Sequence, residues 1–278
     1  MSVLCYDGAM GTNSLLPLTA LALAGDVGGK AFALGEMLKA GFKVPEGFVI
    51  TSKFPAQVEE LEAQILASFD SLNSEYVAVR SSALHEDSQG ASWAGQLDTF
   101  LNVDREHLLE YIQKCQRSAD SERAKSYAKQ QRLPSGSVAV IVQQMIQSEV
   151  SGVAFSVHPV TKNRGQIVIE AAFGLGEAVV SGEVTPDTYI TDKATNKILE
   201  KHVTAQSKKL AQAASGQSAW QPLNKALQEQ KLSDEQILEL AKLIAKIEAF
   251  YSFPVDVEWG LVGNEFYILQ CRPITTLG

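Results

Sequence analysis

Asp26-Val27-Gly28-Gly29-Lys30 stands immediately before a segment with helical periodicity. Paired glycines let a backbone approach a ligand, a helix N-terminus favours an anion, and Lys30 adds a mobile positive charge. The same residues also describe a tight turn with a solvated lysine, so the motif alone does not decide. Residues 76–82 (YVAVRSS) put Arg80 at the end of an apolar strand. There a guanidinium can grip phosphate bidentately or serve a structural ion pair. Gly90-Ala91-Ser92-Trp93-Ala94-Gly95, followed by Asp98-Thr99, is small except at Trp93. Exposed N–H groups in such a loop, with the Thr99 hydroxyl, can cover a polyphosphate. A plain surface loop would leave Trp93 exposed, so a docking lid explains the composition better. A second glycine-rich run, Phe173-Gly174-Leu175-Gly176-Glu177 on to Ser181-Gly182, reads as a strand-to-helix corner.

The last two strands allow an argument about register. A two-residue turn at Gly263-Asn264 would set Val257 against Gln270 and Asp256 against Cys271. A three-residue loop, 263–265, instead pairs Glu258 with Gln270 and Asp256 with Arg272. It also sets Val257, Trp259 and Leu261 opposite Cys271, Leu269 and Tyr267. The second register separates an apolar from a polar face and matches opposite charges, so it is preferred. Glu258 and Gln270 then offer oxygen ligands side by side, with Arg272 one step away. Such a pair suits Mg²⁺ shared with nucleotide phosphates, or is a polar ladder on a solvated face.

The elements that position these groups are legible in outline. Phe32, Leu34, Met37 and Leu38 recur at helical spacing and stop at Gly41, a plausible C-cap. Strands are expected at 48–51 and 76–80, with a helix at 57–69 between them. Asp104 can cap a helix whose stripe is Leu108, Leu109, Ile112 and Cys115. Short β-branched runs follow at 138–142, 152–157 and 166–171, then a hairpin from 189–191 and 197–200. Ser233 and Gln236 make a capping box for a helix carrying Leu240, Leu243, Ile244 and Ile247. Strands at 255–262 and 266–271 close the chain. Residues 1–17 read as a poorly structured lead-in, and the polar 203–232 as an exposed excursion. Mixed elements without regular βαβ alternation indicate an α+β, two-lobed enzyme, with lobes 1–149 and 150–278.

With 278 residues, 45% of them hydrophobic, the chain can bury a substantial core. Its net charge of −8 argues against a nucleic-acid partner but not against a nucleotide, which needs only local cations. Cys5, Cys115 and Cys271 are widely spaced and form no CxxC pair, which suits a reduced cytoplasmic protein without disulfides or zinc. The short apolar run 15–24 lacks any Lys or Arg before it, so a secretory signal is not expected, and no run is long enough to cross a membrane.

Taken together and in order, eight segments resemble the ATP-binding domain of the phosphoenolpyruvate synthase and pyruvate phosphate dikinase family, which includes rifampicin phosphotransferase. They are VGGKAFALGEM, VPEGFVIT, VAVRSSALHED, ASWAGQLDTFLNV, VAVIVQQM, VSGVAFSVHPVT, EAAFGLGEAVVSGEVTPDTY and VEWGLVGNEFYILQCRPIT. The resemblance covers most of 24–276 and implies an ATP-grasp fold, in which two lobes close on ATP. It places Lys30 and Arg80 at phosphate-binding positions, Gly95 and Thr99 in the phosphate-covering loop, and Gln143 at the nucleotide. It makes Glu258 and Gln270 the Mg²⁺ and phosphate positions, with Arg272 the cation near the transferred group.

Departures from the family pattern are informative. The stretch from Ser52 to Arg80 is shorter than usual, GGKAFAL replaces GGKxASL, and Leu97 stands where a polar residue is common. The sequence stops just after RPIT, where longer relatives continue into a swivelling domain bearing the phosphorylated histidine. None of His85, His107, His158 and His202 lies in that histidine motif. The expectation is therefore a dikinase-type subunit that passes a phosphoryl group from Mg-ATP to a histidine on another domain or chain, as in the split phenylphosphate synthase. The alternatives are a stand-alone small-molecule kinase or activating enzyme, a non-catalytic ATP-binding regulator, and a fragment of a longer enzyme.

Overall fold

In this computed structural model, which describes residues 14–22, 24–52, 58–84, 98–118, 121, 122, 126, 138–227 and 229–275, two antiparallel sheets carry the chain. The first is built from β1 (Leu15–Pro17), β2 (Gly47–Ile50), β3 (Val77–Ala83), β4 (Thr99–Val103) and β5 (Val138–Gln144), ordered β1-β2-β5-β3-β4. After β6 (Val150–Phe155), β7 (Gln166–Phe173), β8 (Asp187–Asp192) and β9 (Lys197–His202) comes a separate ribbon, β10 (Gln206–Gln212) with β11 (Ser218–Leu227). Strands β12 (Val255–Val262) and β13 (Glu265–Pro273) complete the second sheet, ordered β13-β12-β6-β7-β8-β9. Helices α1 (Gly28–Lys39), α2 (Val58–Ser71), α3 (Leu108–Ser118), α4 (Glu177–Val180) and α5 (Asp234–Tyr251) pack around them. The α+β class expected from the sequence is what the chain adopts. No helix among the described residues is long and apolar enough to cross a membrane.

Strand alternation sorts the first sheet into two faces. Val77, Val79, Val140 and Val142 enter a core with Ile65 and Phe69 of α2 and Leu108, Ile112 and Cys115 of α3. Ala139 and Ile141 face the other way, into a larger core that joins Leu34 and Met37 of α1 to Val257, Trp259 and Ile268 of the terminal hairpin. Helix α1 thus packs between the two sheets. It ends in a Schellman turn: Gly41 N–H donates to Leu38 O and Phe42 N–H to Met37 O, both at 3.0 Å. Gly41, at φ +83°, adopts the left-handed conformation this turn requires. Helix α5 begins with the expected capping box at Ser233 and Gln236. It buries Ile237, Leu240, Ile244 and Ile247, each contributing about 1.5–3 kcal/mol on leaving water.

Two expectations are corrected. Leu15–Pro17 of the supposed lead-in is a strand, pairing with β2 from Leu15↔Ile50 to Pro17↔Phe48. The supposed excursion at 203–232 is the β10–β11 ribbon, and both of its ends are fastened inside the protein. Thr204 N–H donates to Asp187 Oδ1 at 2.9 Å, and the Lys231 ammonium reaches the same oxygen at 2.8 Å. The Lys231 and Asp187 side chains are both 0% exposed. A polar composition concealed a buried ion pair because the apolar stem of lysine carries no sequence sign of where its head is placed.

Candidate active site

Three consecutive residues near the end of β3 diverge to three elements. Ser82 Oγ accepts the Ala31 N–H at 3.3 Å, which ties the start of α1 to β3. Ser81 Oγ donates to Cys115 O at 3.1 Å near the end of α3. Arg80, on the opposite face of β3 from Ser81, reaches across to the terminal hairpin of the second sheet. Its Nη2 donates to Gln270 Oε1 at 2.9 Å and to Glu258 Oε2 at 3.1 Å, and its Nη1 to the Leu269 carbonyl. Sequence reading found the arginine but gave the serines no role.

The terminal hairpin shows why those oxygens converge. Its outer half has the preferred register, Asp256↔Arg272, Val257↔Cys271 and Glu258↔Gln270. Its inner half has the other one, Trp259↔Ile268, Leu261↔Phe266 and Val262↔Glu265, closing on the two-residue Gly263-Asn264 turn. A β-bulge after Glu258 reconciles the two by inserting Leu269, whose carbonyl accepts from Arg80. The expected pairing of Trp259 with Leu269 and Leu261 with Tyr267 is therefore incorrect. Both registers had a sound local reason, and the bulge satisfies each where it applies.

Lys30 lies in the first turn of α1 and donates to Ser81 O at 3.2 Å, which sets it beside Arg80. Gly28, two residues earlier, serves a close approach within the protein itself. Gly28 has φ +79°, and a Cβ there would stand 2.4 Å from Ser82 Oγ and 2.5 Å from Ala83 O. Gly28→Ala is expected to cost about 1–3 kcal/mol from the backbone conformation alone, with the clash adding to it. Chemical unfolding measures this, and an unchanged midpoint would contradict the close approach. Arg272 Nε donates to Asp256 Oδ2 at 2.8 Å. Gln143 is only 2% exposed and spends its side-chain amide on Pro45 O at 3.0 Å. Gly95 and the rest of the lid up to residue 97 lie outside the described residues.

Four carboxylates surround the two arginines on this face. Glu170, Val153, Glu258 and Gln270 form one cross-strand row from β7 to β13. Burial raises the carboxyl pKa of Glu170, and the charge of Asp256 adds to the shift. Asp256 is raised by burial against the opposing pull of Arg272. Glu177 is raised by burial, with Arg80 opposing and Glu258 reinforcing. Glu177, at the start of α4, also lines the adjoining cavity, where the sequence offered only a corner. This cavity, of about 390 Å³, is lined by Thr99, Phe100, Leu101, Glu177, Leu210 and Trp220 among others. Its apolar wall continues into a cluster of Leu175, Ala178 and Leu210 with Leu101, Met145 and Val184. The β10–β11 ribbon supplies one side, and Asn102 of β4 holds it by donating to Ser218 Oγ at 2.8 Å.

Arg80 and Arg272, the carboxylates around them and the adjoining partly apolar cavity together give a polar face suited to an anionic ligand beside an apolar wall. The chain belongs to the family described as pyruvate phosphate dikinase, AMP/ATP-binding domain, whose model matches residues 53–278. It is 37% identical to a probable phosphoenolpyruvate synthase of Methanocaldococcus jannaschii, over 90% of this chain and 25% of that protein. It is 36% identical to rifampicin phosphotransferase of Bacillus cereus, over 90% of this chain and 34% of that protein. The chain thus spans a quarter to a third of the length of these relatives. Among solved structures, a D-alanine–D-alanine ligase from Helicobacter pylori aligns over 87% of this chain and 53% of its own, with 13% identity and a TM-score of 0.38.

Proposed function

We propose that this chain is the ATP-binding half of a dikinase-type phosphotransferase, holding Mg-ATP between an N-terminal lobe to residue 149 and a C-terminal lobe from 150. The phosphoryl group would pass to a histidine on a separate carrier domain or chain. The observation that carries this reading is the meeting of Arg80 with Glu258 and Gln270 beside the interlobe cavity. Among the described residues no three His, Cys, Asp or Glu side chains converge as a metal cluster. Mg²⁺ does not need such a cluster, since it takes one or two protein oxygens and completes its shell with phosphate and water. Glu258 and Gln270 fit that role, because their oxygens already converge on one cationic nitrogen at 3.1 and 2.9 Å. When bound there, Mg²⁺ would neutralise phosphate charge and fix its orientation.

The chain's own residues supply the rest. Lys30 and Arg80 hold the phosphates and stabilise the charge that develops on transfer, with Arg272, oriented by Asp256, nearest the moving group. The Thr99 hydroxyl, with Gly95 in the covering loop, adds donors. The apolar wall around Met145, Leu175 and Leu210 takes the purine. Of the histidines, His107 pairs with Asp104 and His202 with Glu200, while His158 accepts from backbone N–H groups of its own turn. His85 lies outside the described residues.

Product analysis tests the proposal. Incubation with Mg-ATP and a histidine-bearing domain from a relative should release AMP and phosphate, and none without that domain. ADP formed with a small acceptor would establish a direct kinase instead. Tight ATP binding without turnover under every condition would establish a regulator.

A further inference from the structure

Arg80 is 7% exposed, and its guanidinium occupies the point at which the Glu258 and Gln270 oxygens converge. We propose that Arg80 is a displaceable internal counter-ion, which fills the divalent-cation position until nucleotide phosphate draws it away. This rests on the Mg-ATP reading above and adds an order of events to it. Metal entry without phosphate is blocked, and phosphate capture by Arg80 opens the metal position.

Geometry supports mutual exclusion. Mg²⁺ sits about 2.0–2.1 Å from its oxygen ligands. The Arg80 nitrogen lies within 3.1 Å of both oxygens, so a metal ion there would be pressed against a buried cation. The hold on Arg80 is also suited to release. Of its three acceptors only Glu258 is an acid, while the Gln270 amide and the Leu269 carbonyl, presented at the bulge, are neutral. Its Nε is buried with no hydrogen-bond partner. A buried guanidinium with an unused donor gains when a phosphate offers several anionic oxygens at once. The same contacts join β3 of one lobe to β12 and β13 of the other, so their exchange for phosphate changes what ties the lobes together.

Mn²⁺ alone, followed by electron paramagnetic resonance of the free ion, reads this without any turnover. Wild-type protein should bind Mn²⁺ weakly, and Arg80→Met should bind it about ten- to hundredfold tighter. Gln270→Leu in the Arg80→Met background should remove that gain. Equal Mn²⁺ affinity in wild type and Arg80→Met would overturn the proposal. Should Arg80→Met not fold, inorganic tripolyphosphate serves on the wild type. It should raise Mn²⁺ affinity beyond the chelation seen with Glu258→Ala protein, and no such increase would equally overturn it. Wild-type binding of Mn-ATP is measured alongside. Its absence would remove the underlying reading, whereas its presence with unblocked Mn²⁺ binding would remove only the counter-ion role.

Discussion

Lys231→Met is expected to destabilise the fold by about 3–5 kcal/mol, the cost of stranding one partner of a buried ion pair. Asp187 lies under the base of the β10–β11 ribbon with its side chain 0% exposed. It accepts from Tyr189 Oη at 2.6 Å, Thr204 N at 2.9 Å, Lys231 N at 3.0 Å and Lys231 Nζ at 2.8 Å. Removing the ammonium leaves a carboxylate held only by neutral donors in a low-dielectric site. For a chain of this size that loss lowers Tm by roughly 10 °C. Adding Asp187→Asn to Lys231→Met should recover part of it, because the stranded charge is then gone. Thermal unfolding followed by circular dichroism measures both, and a Tm within about 2 °C of wild type for the single variant would contradict a dry ion pair. The pair also positions one wall of the cavity, so the single variant should weaken nucleotide binding even where the protein remains folded.

Glu258→Ala should reduce AMP formation by about 10²–10³-fold, comparable to removing a main electrostatic element of a phosphoryl-transfer site. The variant also releases Arg80 from its only acidic partner among the three acceptors that hold it. Gln270 and the Leu269 carbonyl still hold the guanidinium, so the circular dichroism spectrum should be unchanged. Mg-dependent ATP affinity by calorimetry separates loss of binding from loss of chemistry. Unchanged turnover in this variant would remove Glu258 from the metal position.

Periodicity and capping are local properties, and the sequence alone determined what depends on them. Alternation in β3 and β5, the stripe of α3, the Schellman turn at Gly41 and the box at Ser233 all involve residues within a few positions of each other. The ion pair Asp256–Arg272 and the polar pair Glu258–Gln270 were legible for a related reason. One turn closes both strands, and opposite partners select the register.

Only the tertiary structure decided the remainder. A register argument assumes one offset along a hairpin, so it could not anticipate a bulge that lets Leu269 satisfy two offsets. Gly28 looked like an approach to a ligand and is an approach to Ser82 and Ala83, an encounter between segments over 50 residues apart. Lys231 looked solvated and is buried against Asp187, because burial of a charge depends on whether a partner arrives from elsewhere in the chain. Arg80 and Glu258, 178 residues apart, were each identifiable as charges near a candidate site. Their contact arises because α1 packs on both sheets and brings the face of β3 against the hairpin. Residue types specified the available chemistry, and long-range packing set which of those groups hold one another.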